Sequence, residues 1–224
     1  MTANYAKSSL APPIWVLAIA VSAANVGISL LSPAIPQLRD DLMVTSDEAQ
    51  LVLSAFLIML GVGQLIAGSL SDRIGRRPVL VYGSLLFVLS GFGALLSTSI
   101  EMLVAMRTFQ GLGAATCMAM GRVIISDSFQ RAEAGRQMST ITMFQSVVPL
   151  LGFAFGGVMA DLVGWRGSVG LMVVTATIVF LGTSLLLSES RDPSIKPVPA
   201  SRIIVVYGQL LVTPLFIANA MMAA

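Results

Sequence analysis

A single charged residue interrupts one of the long apolar stretches of this sequence. Arg107 is the only charged residue between Met102 and Gly121, and a charge in such a stretch is costly enough to suggest a function. Gln110 follows three residues later, so on a helix both side chains would share one face. A simpler alternative is that Arg107 extends along its stem to the water interface and that Gln110 hydrogen-bonds a neighbouring helix.

A second segment combines glycines, an acid and arginines over a short distance. It reads Gly68-Ser69-Leu70-Ser71-Asp72-Arg73-Ile74-Gly75-Arg76-Arg77-Pro78. The glycines permit a sharp turn and close backbone approach, and Asp72 can accept hydrogen bonds from an arginine or from a helix N-terminus. A plain positive anchor at a membrane face explains the arginines, but neither the acid nor the spacing of the glycines. We therefore interpret the segment as a specific hinge between two helices.

The composition indicates the kind of protein in which these residues lie. Of 224 residues, 56% are hydrophobic and only 11% are charged, whereas a soluble domain has about 25% charged residues. The net charge of +2 argues against a nucleic-acid-binding surface. With no histidine and Cys117 as the one cysteine, the usual metal, redox and catalytic-base arrangements are missing. We expect a membrane protein that is not an enzyme and uses no cofactor or metal.

The charge-free gaps predict the elements that position these residues. A membrane-spanning helix needs about 20 mostly apolar residues, and we predict six such helices, near 14–36, 48–70, 79–98, 101–124, 138–160 and 167–187. Thr45 to Glu48 has the pattern of an N-terminal cap for the second helix. The apolar stretch from Ile203 to the end is a seventh candidate. The predicted fold class is an all-α membrane protein.

The basic residues alternate between the two ends of these helices. One side carries Lys7, Arg73, Arg76, Arg77, Arg122, Arg131, Arg136, Arg191, Lys196 and Arg202, and the other carries Arg39 and Arg166. Short cytoplasmic loops are enriched in lysine and arginine. This pattern predicts a multi-pass inner-membrane protein with a cytoplasmic N-terminus at 1–13, a bundle over 14–187, and a cytoplasmic linker from 188.

Two motifs resemble those of the major facilitator superfamily of secondary transporters. The hinge segment has the family form G-x-x-x-D-R-x-G-R-R, with matches at Gly68, Asp72, Arg73, Gly75, Arg76 and Arg77. The predicted fourth helix has the form R-x-x-Q-G-x-G-A-A, with matches at Arg107, Gln110, Gly111, Gly113, Ala114 and Ala115. The resemblance implies the six-helix N-terminal bundle of that fold, built as a 3+3 inverted repeat. It also implies that the hinge residues and Asp127 form a conformational latch, and that Arg107 faces a central cavity and couples transport.

The predicted fifth helix resembles the antiporter motif that ends G-P-x-x-G-G. Gly152, Gly156 and Gly157 align with it, but Phe153 stands where the proline belongs and Pro149 lies one turn earlier. The resemblance implies efflux and a helix that can bend, because neighbouring helices can satisfy freed backbone groups. Plain small-residue packing is the open alternative.

The end of the first helix, Ser32-Pro33-Ala34-Ile35-Pro36, resembles that of the bicyclomycin-resistance-like drug:proton antiporters. That group usually has an aspartate where this chain has Ser29. No carboxylate then lies within any predicted span beyond its first residue, so in a proton-driven cycle the titrating acid must lie elsewhere. Asn25 is a polar candidate for the cavity, or equally an interhelical hydrogen-bond residue.

Members of the family have two six-helix halves with the substrate between them, and this chain resembles the first. The region 207–216 resembles the entry to the seventh helix, which implies a linker over 188–213, a truncated seventh helix over 214–224 and a missing C-terminal half as partner. The implied function is alternating-access efflux of drugs or small metabolites across the lipid bilayer, coupled to protons. The alternatives are a metabolite uptake symporter or a non-transporting truncated membrane protein, and composition alone also allows 203–224 as one whole span.

Overall fold

The computed structural model describes residues 11–191, and this part of the chain is helical throughout, with no strand. It contains eight α-helices and one 3₁₀ turn: α1 Ile14–Val21, α2 Ala23–Ser29, the 3₁₀ turn Ser32–Ala34, α3 Ile35–Leu42, α4 Ser46–Ile74, α5 Arg76–Leu95, α6 Ile100–Ser128, α7 Arg131–Val163 and α8 Trp165–Leu186. The predictions for 1–10, for most of the linker over 188–213 and for the seventh helix over 214–224 fall outside the described residues.

The predicted first span is broken into several pieces. α1 and the segment from Ala23 to Leu42 are bent by 42° relative to each other. Pro33 and Pro36 follow α2 and lack the N–H groups that a continuous helix needs. The hydroxyl of Ser32 donates to the carbonyl oxygen of Ile28 at 2.8 Å. The single helix predicted over 14–36 is therefore corrected to a broken one.

The other helices begin and end at recognisable signals. Thr45 and Glu48 form a capping box at the start of α4, in which the Glu48 carboxylate accepts from the Thr45 N–H at 2.8 Å. Gly164 has a φ of +83° between α7 and α8, a conformation that suits glycine. α4, α6 and α7 extend past both ends of the apolar windows predicted from sequence, because helices continue into the interfacial region where polar residues are tolerated. α5 and α8 begin earlier than predicted and end at Leu95 and Leu186, before the predicted ends at 98 and 187.

Within residues 11–191, four helices are long and apolar enough to cross a membrane, and the bent pair makes a fifth candidate. α6 is not among them, although it has 29 residues. It carries Arg107, Gln110 and Arg122, and it packs against α1, α2, α4, α5 and α7. Because protein surrounds so much of α6, this helix can be more polar than its neighbours and still belong to the bundle.

The helix pairs follow the pattern of an inverted repeat. α4 packs on α6 just as α7 packs on the broken first helix, and α5 packs on both α6 and α8. Close approach depends on small residues: a Cβ at Gly111 would clash with the carbonyl oxygen of Phe56, and one at Gly113 would lie 2.7 Å from the Phe87 nitrogen. α4 and α7 bury the smallest shares of their apolar stretches, 22% and 17%. We call the surface between them, formed by α6 and the broken first helix, the open face.

Candidate functional site

Gly75 makes the turn between α4 and α5. Its φ of +103° is a backbone conformation that other residues rarely adopt. A Cβ at this position would also collide with the carboxylate of Glu189. Gly75 therefore allows both the turn and the close approach of an acidic side chain.

Three charged side chains from three helical segments meet beside this turn. Arg76 Nη1 lies 2.9 Å from Asp72 Oδ1, and Arg76 Nε lies 3.0 Å from Asp127 Oδ2. Arg76 is nearly buried, with 12% of its side chain exposed, and its guanidinium also donates to the Ser71 carbonyl oxygen at 2.9 Å. The cluster ties the ends of α4, α5 and α6 together. We call this end of the bundle the basic end.

Glu189, which the sequence analysis did not single out, completes the turn. Its two carboxylate oxygens accept from the backbone N–H groups of Arg76 at 2.9 Å and Arg77 at 3.2 Å. These groups open α5, where N–H groups lack helical partners and the helix dipole favours an anion. Glu189 lies just after α8 and so connects the last helix to the hinge. The only sequence signal was an acid directly following the last apolar run.

The remaining latch residues of the sequence analysis have different surroundings. Arg77 Nη2 donates to the Ser184 carbonyl oxygen at 2.7 Å, which ties α5 to α8. The side chain of Arg73 is exposed, and its backbone carbonyl accepts from Arg191. A Cβ at Gly68 would meet nothing within 4 Å, so this glycine is not required for packing within the described residues.

Arg107 is completely buried between four helical segments. Its guanidinium donates to the carbonyl oxygen of Gly27 at 2.7 Å, to that of Val52 at 3.4 Å and to Gln110 Oε1 at 2.6 Å. Its Cζ lies 4.2 Å from the centre of the Phe56 ring. The alternative that Arg107 extends to the water interface is excluded by this burial.

No carboxylate among the described residues pairs with Arg107. Instead, Gly27 lies in the last turn of α2, where carbonyl oxygens lack helical partners and carry the negative end of the helix dipole. Gln110 is also completely buried, and its Nε2 has no hydrogen-bond partner among the described residues. The arginine is therefore held by backbone dipoles and by one amide.

Pro149 and Asn25 belong to one arrangement. Pro149 lies inside α7 and has no N–H to donate to the carbonyl of Gln145, four residues earlier. Asn25 Nδ2 donates to that carbonyl oxygen at 3.0 Å. In return, the Gln145 side chain donates to the carbonyl oxygen of Val21 at 3.3 Å, where α1 ends. Of the two roles left open for Asn25, the structure has the interhelical hydrogen bond, and the residue is also partly exposed.

The glycines of α7 differ in what they contact. A Cβ at Gly152 would overlap the Ser29 hydroxyl, and one at Gly156 would overlap the carbonyl of Leu30. A Cβ at Gly157 would make only ordinary contact, 3.9 Å from Pro33. Two of the three glycines therefore permit close packing of α7 on the broken first helix.

The opposite end of the bundle carries a second polar cluster. Asp41 Oδ2 accepts from Trp165 Nε1 at 2.8 Å and from Arg166 Nη1 at 2.9 Å. Arg166 also donates to the carbonyl oxygen of Ser97 at 2.9 Å. These contacts link the ends of α3, α5 and α8.

Comparison with known proteins finds relatives that are named for drug resistance. The chain is 32% identical over 189 residues to a "Chloramphenicol resistance protein" of Pseudomonas aeruginosa, covering 82% of this chain and 42% of that protein. It is 30% identical over 189 residues to "Multidrug resistance protein D" of Escherichia coli K12, covering 84% of this chain and 47% of that protein. The chain thus spans somewhat less than half the length of these relatives.

The fold is shared with solved structures of transporters. A crystal structure of the peptide transporter POT superposes with a TM-score of 0.72 at 15% identity, over 93% of this chain and 45% of that one. This confirms the predicted fold class, an all-α membrane bundle that corresponds to about half of that transporter. Residues 17–224 match the family model described as Major Facilitator Superfamily. The motif-based resemblance is therefore confirmed, and the chain belongs to this superfamily.

Proposed function

We propose that this chain is the first half of a secondary transporter that exports drugs or small metabolites by alternating access, coupled to protons. Its partner is a second six-helix half, since the relatives are about twice as long as the matched region. It lies in the inner membrane with the N-terminus and the basic end in the cytoplasm. The names of the two bacterial relatives support export of small molecules.

The observation that carries this proposal is the cluster around Arg76. Asp72, Arg76 and Asp127 join three helix ends through contacts of 2.9 and 3.0 Å, while the Gly68 surface of α4 remains open. A conformational latch needs both a rigid base and an accessible surface. Asp72, with 46% of its side chain exposed, remains available to a helix N-terminus of the second half.

Arg107 is the coupling residue in this proposal. Its bonds to Gly27 on α2 and Val52 on α4 connect the broken helix to a helix beside the open face. A rearrangement of either helix would change the hydrogen-bond partners of Arg107. Because a buried charge without partners is costly, such a rearrangement would be coupled to the state of this residue. Each described carboxylate lies in the first or last turn of a helix or outside a helix, so the proposal assigns the proton acceptor to none of the described residues.

A susceptibility test addresses the export proposal directly. The full-length protein containing this chain is expressed in a host that lacks its own efflux pumps, and growth is measured against a panel that includes chloramphenicol. Export predicts a higher tolerated concentration of at least one compound, abolished by a protonophore. An empty vector and the Arg107→Ala variant, matched for amount in the membrane, are the controls.

The same experiment separates the alternatives. Greater sensitivity to a compound, together with its faster accumulation, would favour an uptake symporter. An unchanged response and unchanged accumulation across the panel, with the protein present in the membrane, would favour a non-transporting membrane protein.

A further inference from the structure

Three polar side chains form a connected cluster at the open face. Arg122 Nη2 donates to Gln145 Oε1 at 3.1 Å, and Asn25 Nδ2 donates to the Gln145 carbonyl oxygen at 3.0 Å. Gln145 is fixed further by its bond to the Val21 carbonyl oxygen. We call Asn25, Arg122 and Gln145 the amide–arginine cluster. It connects α6, α7 and the break in the first helix.

The guanidinium of Arg122 is directed away from the basic end, toward Gln145, although the sequence analysis counted this residue with the basic side. α6 has 29 residues, about 43 Å at 1.5 Å per residue, against an apolar core of about 30 Å. Arg122 lies six residues before the end of α6, about 9 Å along the axis. Helical side chains lean toward the helix N-terminus, which for α6 is the opposite end of the bundle.

Arg136 provides the contrast. It lies five residues inside α7, close to the same end of the bundle. α7 begins at the basic end, so the side chain of Arg136 leans out of the membrane, toward Glu133 at 3.6 Å. Two arginines at similar distances from helix ends therefore have different directions. Of these two arginines, Arg122 is the one that directs its charge toward the middle of the open face.

Arg122 has spare hydrogen-bonding capacity. A guanidinium has five N–H donors, and the bond to Gln145 is the one that Arg122 makes to the described residues. The side chain is exposed, and each described carboxylate lies at a helix end or outside a helix. Charged side chains within a membrane protein often mark a substrate or ion pathway. Arg122 is such a side chain, and it has no carboxylate partner among the described residues. The planar fork of the guanidinium matches a carboxylate with two parallel hydrogen bonds.

We propose that the amide–arginine cluster binds the carboxylate of an amphiphilic organic anion, with Arg122 as the ligand to the carboxylate and Gln145 as the positioning residue. This inference rests on the proposed function and narrows its substrate class. Amphiphilic cations are disfavoured, because Arg122 adds a positive charge to the open face and no described acid at that depth offsets it. α4 and α7 expose several large apolar side chains that can contact the apolar part of the substrate.

The test uses three probes with one ring system. Equilibrium binding to the purified full-length protein in detergent is measured for 2-naphthoate, 2-naphthamide and (2-naphthylmethyl)trimethylammonium. The wild type should bind the carboxylate most tightly and the cation most weakly. Arg122→Gln should weaken carboxylate binding about 10- to 100-fold, the value of a charge-assisted hydrogen bond, with little effect on the amide.

Charge reversal and a matched control make the test specific. Arg122→Glu should invert the preference, so that the cation binds more tightly than the carboxylate. Arg136→Gln removes an arginine from the same end of the bundle and should leave all three affinities within about twofold, since that side chain leans away from the site. Gln145→Ala should weaken binding of the carboxylate probe less than Arg122→Gln does.

The outcomes separate this inference from the export proposal. Undetectable or equal binding of carboxylate and cation by the wild type would overturn the carboxylate site, even if export is found. Equal losses in the Arg122→Gln and Arg136→Gln variants would also overturn it. Charge-dependent binding in a protein that exports nothing would support the site and contradict the export proposal alone.

Discussion

Arg107 shows how a single residue can be both costly and well accommodated in this protein. Burying a charge without partners costs several kcal/mol, yet here the guanidinium lies against carbonyl oxygens, an amide and an aromatic face. Gly27 is required for this arrangement, because a Cβ there would lie 2.6 Å from the Phe56 ring. The site is therefore specific for a planar cation with several donors.

We expect Arg107→Ala to reduce transport by the full-length protein by about tenfold or more, while the protein still inserts. The change removes the group that connects α2, α4 and α6, and it leaves the Gly27 carbonyl and Gln110 without their donor, at about 1–3 kcal/mol for each buried group. Arg107→Lys should restore only part of the rate, since an ammonium lacks the planar fork. Transport is measured in vesicles whose membranes contain equal amounts of each variant. Wild-type rates in the alanine variant would show that the charge has no coupling role.

Gly75 and Gly68 offer a matched pair of glycines from one motif. Gly75→Ala should destabilise the bundle by about 1–3 kcal/mol, because a φ of +103° is strained for other residues and the new Cβ meets Glu189. Gly68→Ala should leave stability unchanged or raise it by about 0.5–1 kcal/mol, the usual effect within a helix. Thermal unfolding in detergent compares the two variants. Equal destabilisation by both would contradict this view of the motif.

At the scale of elements, the two interrupted helices support each other. Pro149 leaves one carbonyl of α7 without a helical donor, and the end of α1 leaves the Val21 carbonyl free. Asn25 and Gln145 supply the two missing donors at 3.0 and 3.3 Å. Each break is therefore compensated by a side chain that comes from the other helix.

This reciprocity predicts a coupling between Asn25 and Pro149. Asn25→Ala alone should cost about 1 kcal/mol, because it leaves a partly buried carbonyl unpaired. In a Pro149→Ala background the cost should be smaller, since the alanine N–H can donate to the Gln145 carbonyl within α7. Unfolding free energies in detergent would give the coupling energy by a double-mutant cycle. As a control, Thr142→Ala on the exposed side of α7 should show no coupling to Pro149, and additive effects of Asn25 and Pro149 would contradict the pairing.

In the bundle as a whole, the charged side chains at the basic end join several helices. Arg76 connects α4, α5 and α6, and Glu189 connects the end of α8 to the start of α5. Asp72 contributes only one half-exposed ion pair to these contacts. Such pairs add about 0–1 kcal/mol to stability, so we expect Asp72 to contribute little to folding.

Asp72→Asn should therefore lower transport strongly while changing the unfolding free energy by less than about 1 kcal/mol. The reason is that the proposed latch needs the charge of Asp72 against a helix N-terminus, a contact of about 0.3–2 kcal/mol. Transport assays and thermal unfolding on the same preparations separate the two effects. Glu133→Gln removes another acid at the basic end, paired at 3.6 Å with Arg136, and should keep transport. A variant Asp72→Asn that transports normally would argue against the latch.

The distribution of basic residues predicts the orientation of the whole molecule. In a Cys117→Ser background, Ser194→Cys should resist a membrane-impermeant thiol reagent in intact cells and react after permeabilisation. Met43→Cys is the control for the other side, because Met43 is 91% exposed at the opposite end of the bundle. Efficient labelling of Ser194→Cys in intact cells would reverse the predicted topology.

The class of the fold and the positions of the motifs could be predicted from the amino-acid sequence. Apolar length and the spacing of charges are local properties, so they predicted membrane helices, and the capping box of Thr45 and Glu48 was visible in the same way. The order of the motifs also predicted the family that the comparisons confirmed. These signals depend on composition and on neighbours along the chain, which the sequence contains directly.

The contacts between residues that lie far apart along the chain could not be predicted in this way, because they depend on how the helices pack. Glu189 lies far along the chain from Arg76, and Gln145 far from Val21, so no local pattern connects them. The direction of Arg122 and the burial of Arg107 likewise depend on how α6 is surrounded, because hydropathy records that a residue is charged and not where its side chain points. A broken helix needs partners for its free carbonyls, and those partners come from whichever helix packs beside it.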